Sequence, residues 1–397
     1  MPRMKDSNHV TMPRQLFIAL AAVTALAVGG CGADSDAPDD KATETDTPDP
    51  SETPAGGTPG GLRQLWSQDL DHVEGVAGGF AVITPAGELT VLDAADGATR
   101  WSTPLPREDD GGTVFISASP DGTALYLAQA AEGGPSVAGV VPTVSAYDTA
   151  AGDQLWSVEV PDALATETKP VDASNGLIAA YGAVLSPEDG AILAEPGGLG
   201  DDAAFPVSST ALIRTDGLSS ILGESPAGDR LWDETDLELA AACDPDMDIT
   251  VIGAFGGVVV TTCFATNGTD VTVLFTDPTT GELIGEAPGD AMQSQPISEG
   301  VHDPATGISV IGGDAGQFGV NVASGEVVWT AEPGTVSSFG PVADGRLYAT
   351  GGVLDVATGE VVESGDWAEA LAATDGPYVM YLADDSTINT GLVYGAE

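Results

Sequence analysis

VLDAADGATRW (Val91–Trp101), AYDTAAGDQLW (Ala146–Trp156), LGESPAGDRLW (Leu222–Trp232) and VNVASGEVVW (Val320–Trp329) are four copies of one pattern. An apolar stretch ends at a residue with a side-chain oxygen, a glycine follows four positions later, and a tryptophan four beyond that. VLSPEDGAIL (Val184–Leu193), FTDPTTGELI (Phe275–Ile284) and LDVATGEVV (Leu354–Val362) keep the first two features and lose the tryptophan. The glycines are Gly97, Gly152, Gly190, Gly228, Gly281, Gly325 and Gly359, and the polar residues before them are Asp93, Asp148, Ser186, Glu224, Asp277, Asn321 and Asp355. The final position holds Trp101, Trp156, Trp232 or Trp329, and elsewhere Ala194, Gly285 or Glu363.

The physical content of the pattern is a β-hairpin. An Asp-type oxygen accepts turn N–H bonds, glycine supplies the positive φ of a short connection, and a Trp just inside the second strand fills the space between neighbouring sheets. These residues are therefore scaffold, not paired catalytic carboxylates. Ahead of each hairpin stands another apolar pair, such as Leu125–Ala128 or Ile308–Ile311, and no segment has a helical period. Four short strands per unit describe a propeller blade. Successive glycines are 55, 38, 38, 53, 44 and 34 residues apart, a blade-sized repeat. An eighth unit is divided between the chain ends: Leu62–Leu70, with Trp66, supplies an outer strand, and Ala370–Tyr394 supplies inner ones. The expected fold is all-β, an eight-bladed propeller over residues 62–397. N- and C-terminal strands close it so that no sheet edge is left open. A seven-bladed ring is the alternative, because the Leu177–Leu193 unit is short.

The first thirty residues read as an export signal: Arg3, Lys5 and Arg14 precede the apolar run Leu16–Val28. That run is too short for a comfortable membrane span of about 20 residues. Val28-Gly29-Gly30-Cys31 resembles a bacterial lipobox, which implies acylation of Cys31 and anchorage on the outer face of the cell membrane. Residues 32–61 hold eight acids, one lysine and no aromatic or large aliphatic residue, the composition of a disordered spacer. Cys243 and Cys263 are the only other cysteines and, in an exported chain, are expected to form a disulfide. The formal net charge of −50 excludes sequence-independent nucleic-acid binding and docking on anionic lipid through a basic patch.

Asp-x-x-x-Gly-x-x-x-Trp at this spacing resembles the pyrroloquinoline-quinone (PQQ)-like propeller repeat, from Leu62 to the C-terminus. That superfamily includes quinoprotein dehydrogenases, which bind PQQ and calcium, and non-catalytic lipoproteins that hold partner proteins. This chain lacks the adjacent Cys-Cys pair of the alcohol-type dehydrogenases and a matching calcium-binding or catalytic acidic set. Neither PQQ nor calcium is expected. His72 and His302 are too scattered for a metal site and are expected on solvent-exposed loops. Asp244-Pro245-Asp246-Met247-Asp248 begins like a calcium loop, but Ile249 and Phe255 stand where Gly and a bidentate Glu are needed. No catalytic residue is assigned. The expected function is a non-enzymatic scaffold binding a protein or surface polymer, with Gln129–Thr143 and Asp109–Gly112 as contact loops. The alternatives are a divergent quinoprotein dehydrogenase, a metal-dependent hydrolase, or an extracytoplasmic sensor subunit.

Overall fold

The structure is a computed structural model. It describes residues 62–105, 113–130, 141–161, 171–194, 203–215, 221–233, 247–255, 258–265, 271–288, 299–313, 316–331, 335, 339–364, 369–374, 376–383 and 389–395. Cys31, Cys243 and residues 1–61 lie outside them, as do 106–112 and 131–140, the greater part of the two expected contact loops. Among the described residues the only regular elements are strands, and no helix is long and apolar enough to cross a membrane.

The N-terminal strand β1 (Arg63–Asp69) belongs to the last blade. Blade 1 is β2 (His72–Val76), β3 (Gly79–Ile83), β4 (Glu88–Asp93) and β5 (Thr99–Pro104); blade 2 is β6 (Thr113–Ala118), β7 (Ala124–Ala130), β8 (Thr143–Asp148) and β9 (Gln154–Glu159). Blade 3 is β10 (Val171–Asp172), β11 (Ile178–Ala180), β12 (Ala183–Leu185) and β13 (Ile192–Ala194); blade 4 is β14 (Ala203–Ser208), β15 (Ala211–Thr215), β16 (Ile221–Glu224) and β17 (Arg230–Asp233). Blade 5 is β18 (Met247–Phe255), β19 (Val258–Ala265), β20 (Val271–Thr276) and β21 (Leu283–Pro288); blade 6 is β22 (Glu299–Asp303), β23 (Ile308–Gly313), β24 (Gly316–Asn321) and β25 (Glu326–Ala331). Blade 7 is β26 (Val342–Ala343), β27 (Arg346–Ala349), β28 (Gly352–Asp355) and β29 (Val361–Ser364). Blade 8 is β30 (Ala370–Ala373), β31 (Tyr378–Leu382) and β32 (Thr390–Gly395), completed by β1 in antiparallel register with β32. The ring has eight blades, and the short Leu177–Leu193 unit is a complete blade 3.

Each motif turn is built alike. In blade 1 the Gly97 N–H donates to Asp93 O, the Asp93 N–H donates to Ala98 O, and the Asp93 carboxylate accepts from the Ala95 N–H. Asp148, Asp277 and Asp355 hold their turns the same way, and the seven glycines all have φ between +66° and +83°. Blade 4 departs from the expectation. Its turn is one residue tighter, so Ser225, not Glu224, caps it: Gly228 N–H donates to Ser225 O, and Ser225 Oγ accepts from Asp229 N–H. Glu224 instead meets Arg214, Nε to Oε2, at 2.5 Å.

The tryptophans join one blade to the next. Trp66 Nε1–H donates to Ala94 O (3.0 Å), Trp101 to Thr149 O (2.9 Å), Trp156 to Pro187 O (3.0 Å), Trp232 to Pro278 O (2.8 Å) and Trp329 to Val356 O (2.8 Å). In every case the indole also lies on the motif glycine of the following blade. At Gly97, Gly152, Gly190 and Gly281 it comes within 2.7–2.9 Å of where a β-carbon would sit. Glycine is thus required twice at these positions, for its φ and for its missing side chain. Trp232 is 1% exposed and Trp329 9%, whereas Trp101 and Trp156 are half-buried. The residue opposite on the third strand explains the difference. Gly223 pairs with Trp232 and Gly319 with Trp329, leaving room for the ring against its own sheet, while Val91 and Ala146 occupy that room beside Trp101 and Trp156.

Three seams lack the indole. Between blades 5 and 6 the backbones of Gly285 and Gly325 touch directly. Between blades 7 and 8, where Glu363 holds the tryptophan position, Tyr348, Tyr381 and Tyr394 pack edge to face. Between blades 3 and 4, Ala194 is 2% exposed and nothing lies within 4 Å of a β-carbon on Gly228. Ala194→Trp does not restore that contact, because the blade 4 turn is one residue shorter than the turns that receive an indole and Ser225 O is drawn into it. Overpacking predicts a loss of about 1–3 kcal/mol, read as a lower urea midpoint at unchanged slope.

Candidate functional site

Antiparallel order within every blade puts all connections at one of two ends of the ring. At one end lie the turns joining first to second and third to fourth strands, none longer than six residues. Both ends of the folded chain are there too, since Arg63 at the start of β1 pairs with Gly395 at the end of β32. At the opposite end lie the connections joining second to third strands and blade to blade. These include 105–112, 131–142, 160–170, 234–246, 289–298 and 332–341, each of eight to thirteen residues. The ring therefore has a turn face and a loop face, and the strand ends that flank the two expected contact loops, Pro104 and Thr113, Ala130 and Thr143, lie at the loop face.

Side chains cap several of the turns on the turn face. Hydrogen bonds from the Ala95 N–H and from Arg100 hold Asp93 below the usual carboxylate range, and Ser119 does the same for Asp121 and Ser186 for Asp189. Arg100 is tied down by the carbonyls of Ala77 and Gly78 as well as by Asp93. A further copy of the turn, not anticipated from the sequence, occurs in the inner hairpin of blade 6. There Asp303, 3% exposed, accepts from Ala305 and Thr306 while Gly307 N–H donates to its carbonyl. The spelling Asp303-Pro304-Ala305-Thr306-Gly307 matches Asp277-Pro278-Thr279-Thr280-Gly281 in four of five positions and was the available signal.

On the loop face, the two-residue turn of blade 3 is Tyr181-Gly182, with φ of +50° and +84°. A bulky residue in the left-handed region costs about 1–2 kcal/mol, offset here by burial of the ring among Tyr126, Val160 and Val171. Its hydroxyl is buried without a hydrogen-bond partner, and burial pushes its pKa up to about 12. Tyr181 thereby helps to pack blade 2 against blade 3 at the loop face.

The two histidines are not on exposed loops: both lie on innermost strands, half-buried. His72 packs edge-on to Phe115, and His302 Nδ1 lies 3.1 Å from Ser309 Oγ. Burial lowers the His302 pKa below its ordinary 6.5, outweighing the nearby Asp303 carboxylate. Unfolded chain then takes up a proton below pH 6.5 that the folded chain refuses, so stability is full above that pH and declines as pH falls. The depressed Asp93, Asp121 and Asp189 add a second decline as pH falls below their ordinary 3.8. Urea midpoints measured from pH 8 to 3 should show both steps, and His302→Gln should remove the first.

Cys263, on β19, is fully buried and disulfide-bonded. Among the described residues no group of three or more His, Cys, Asp or Glu side chains is placed to hold a metal ion.

Comparison with known proteins agrees with this architecture. The family model described as outer membrane protein assembly factor BamB, a PQQ-like repeat, matches residues 59–197. No curated protein matches the chain in sequence. Among solved structures, the C-terminal WD40 domain of Sif2 is similar over 86% of this chain and 100% of its own, at 10% identity and TM-score 0.50. BamB from Moraxella catarrhalis covers 84% of this chain and 100% of its own, at 13% identity and TM-score 0.44. The designed protein Ika8 covers 84% and 98%, at 16% identity and TM-score 0.48. The chain is an eight-bladed β-propeller whose residues 59–197 carry the PQQ-like repeat of the BamB family model.

Proposed function

We propose that this chain is a membrane-tethered, extracytoplasmic scaffold that holds a protein or surface-polymer partner on its loop face, without PQQ or calcium. The observation that carries the reading is the division of the ring: capped turns and both chain ends on one face, every long connection on the other. Loops on a rigid frame are where proteins place binding groups. A tether ending in acylated Cys31 enters at the turn face. Entry at the turn face leaves the loop face free to turn toward a partner. The matched family model is named for an assembly factor, which supports a holding role over a catalytic one. Arg100, Arg214 and Arg230 are ion-paired within the ring, which disfavours a triacid cofactor.

The test is affinity capture from detergent-solubilised membranes with the lipidated protein. Replacing 131–142 by Asn-Gly should abolish the specific partner, while substitutions at the turn-face positions Ala95 and Ala150 should not. Retention after loop replacement refutes the loop-face assignment, and unmodified Cys31 in the mature membrane fraction refutes the lipid anchor. Stoichiometric metal, or dehydrogenase turnover with added PQQ and calcium, overturns the non-enzymatic reading.

A further inference from the structure

We infer that β1 is the mechanical clamp of the molecule: a pull on the N-terminal chain enters the ring through this strand, and the direction of the pull decides whether the clamp holds. β1 is an outermost strand, bonded to β32 alone along its length. It nevertheless grips both neighbouring blades. Just ahead of it, Leu62 is 6% exposed and packed with Tyr348, Tyr381 and Tyr394 at the seam of blades 7 and 8. Within it, Trp66 reaches forward to blade 1, where it bonds Ala94 O, covers Gly97 and meets Phe80 edge-on at 6.0 Å. The far end is fastened as well, by Thr390 Oγ1 donating to the Asp69 carboxylate at 2.9 Å and Leu70 N–H donating to Asn389 O at 2.9 Å.

Antiparallel hydrogen bonds run perpendicular to the strands. A force applied at Arg63 and resisted at the loop face drags β1 lengthwise along β32, loading the rungs from Arg63–Gly395 to Asp69–Thr390 together. A force applied between the two chain ends opens the same ladder one rung at a time, beginning at Arg63–Gly395. A scaffold tethered at its turn face and loaded at its loop face would be pulled in the first, resistant direction. That use in the cell rests on the tethered-scaffold reading; the directional clamp does not.

Single-molecule force spectroscopy on the full chain separates the two. One handle is fixed at the N-terminus and the second either at the C-terminus or at the exposed Ala86 of the β3–β4 turn. Wild-type protein should resist several-fold higher force in the N-terminus-to-86 geometry. Trp66→Ala should shorten the lifetime at constant force about tenfold or more in that geometry, Trp66→Phe should restore part of it, and Trp232→Ala should leave the first rupture unchanged. Equal rupture forces in the two geometries for wild-type protein, or a lifetime insensitive to Trp66, would overturn the clamp. Neither outcome bears on partner capture or on Cys31 acylation, which test the scaffold reading separately.

Discussion

Trp232→Ala lowers the stability of the propeller by about 3–5 kcal/mol, the range for deleting a large core aromatic. Trp232 stands at the top of that range among the repeat tryptophans because three contributions meet there. Its ring is 1% exposed, it lies between Gly223 of its own blade and Gly281 of the next, and its Nε1–H donates to Pro278 O at 2.8 Å. Removing it leaves a slot walled by two glycines, which have no side chains to relax into the space, so the cavity persists and its cost is not recovered. Trp101→Ala should cost less, because that ring is already half-buried and Val91 remains to cover the opening. Equilibrium urea unfolding of the two variants checks the order; an equal loss would show that the glycine opposite the indole is not what sets its burial. Gly281→Ala provides the reciprocal test. The new methyl group would have the Trp232 indole within 2.8 Å and a φ of +74° to tolerate, so combining it with Trp232→Ala should be less than additive.

The blade count and the split closing blade were legible because the motif is local. An Asp, a Gly and a Trp at fixed spacing specify a hairpin through bonds made within a few residues. What the pattern did not carry is how deeply each indole is enclosed at its seam. That Trp101 is half-buried and Trp232 enclosed depends on Val91 and Gly223, which lie in the aligned stretches but not at the shared Asp, Gly and Trp positions, and which act across a strand pair. Ser225 was overlooked for a related reason: aligning on Gly228 assumes a constant turn length, and blade 4 shortens its turn by one residue. His72 and His302 were misplaced because single histidines in polar surroundings carry no periodic signal of the innermost strands they occupy. The division into turn and loop faces was implicit in the unequal glycine spacings, since the extra residues of the 55- and 53-residue intervals fall in second-to-third and blade-to-blade connections. It becomes a surface only when the ring closes.

Reduction of the disulfide at Cys263 should cost about 3 kcal/mol if its partner is Cys243, the value for a closed loop of about 20 residues in the chain-entropy model. Cys263 is fully buried on β19, opposite Ile249 of β18 and Thr272 of β20. Cys243 precedes the first strand of the same blade on the connection that leaves β17 at Asp233. The bond would fasten that connection to the second strand of blade 5 and close the chain around β18, the longest strand of the ring. Trp232 secures the seam of blade 5 with blade 4, and toward blade 6 the Gly285–Gly325 backbone contact and the edge-to-face pair Phe275–Phe318 stand in place of the indole. Reduced protein should therefore unfold at a lower urea concentration. Cys263→Ser should cost more than the loss of the bond, because it puts a hydroxyl at a fully buried position. Thiol titration of the unreduced, denatured chain should find neither cysteine free. Two titratable thiols, or a midpoint indifferent to reductant, would exclude the Cys243–Cys263 pairing and leave blade 5 held toward blade 6 by the Gly285–Gly325 contact and the Phe275–Phe318 pair.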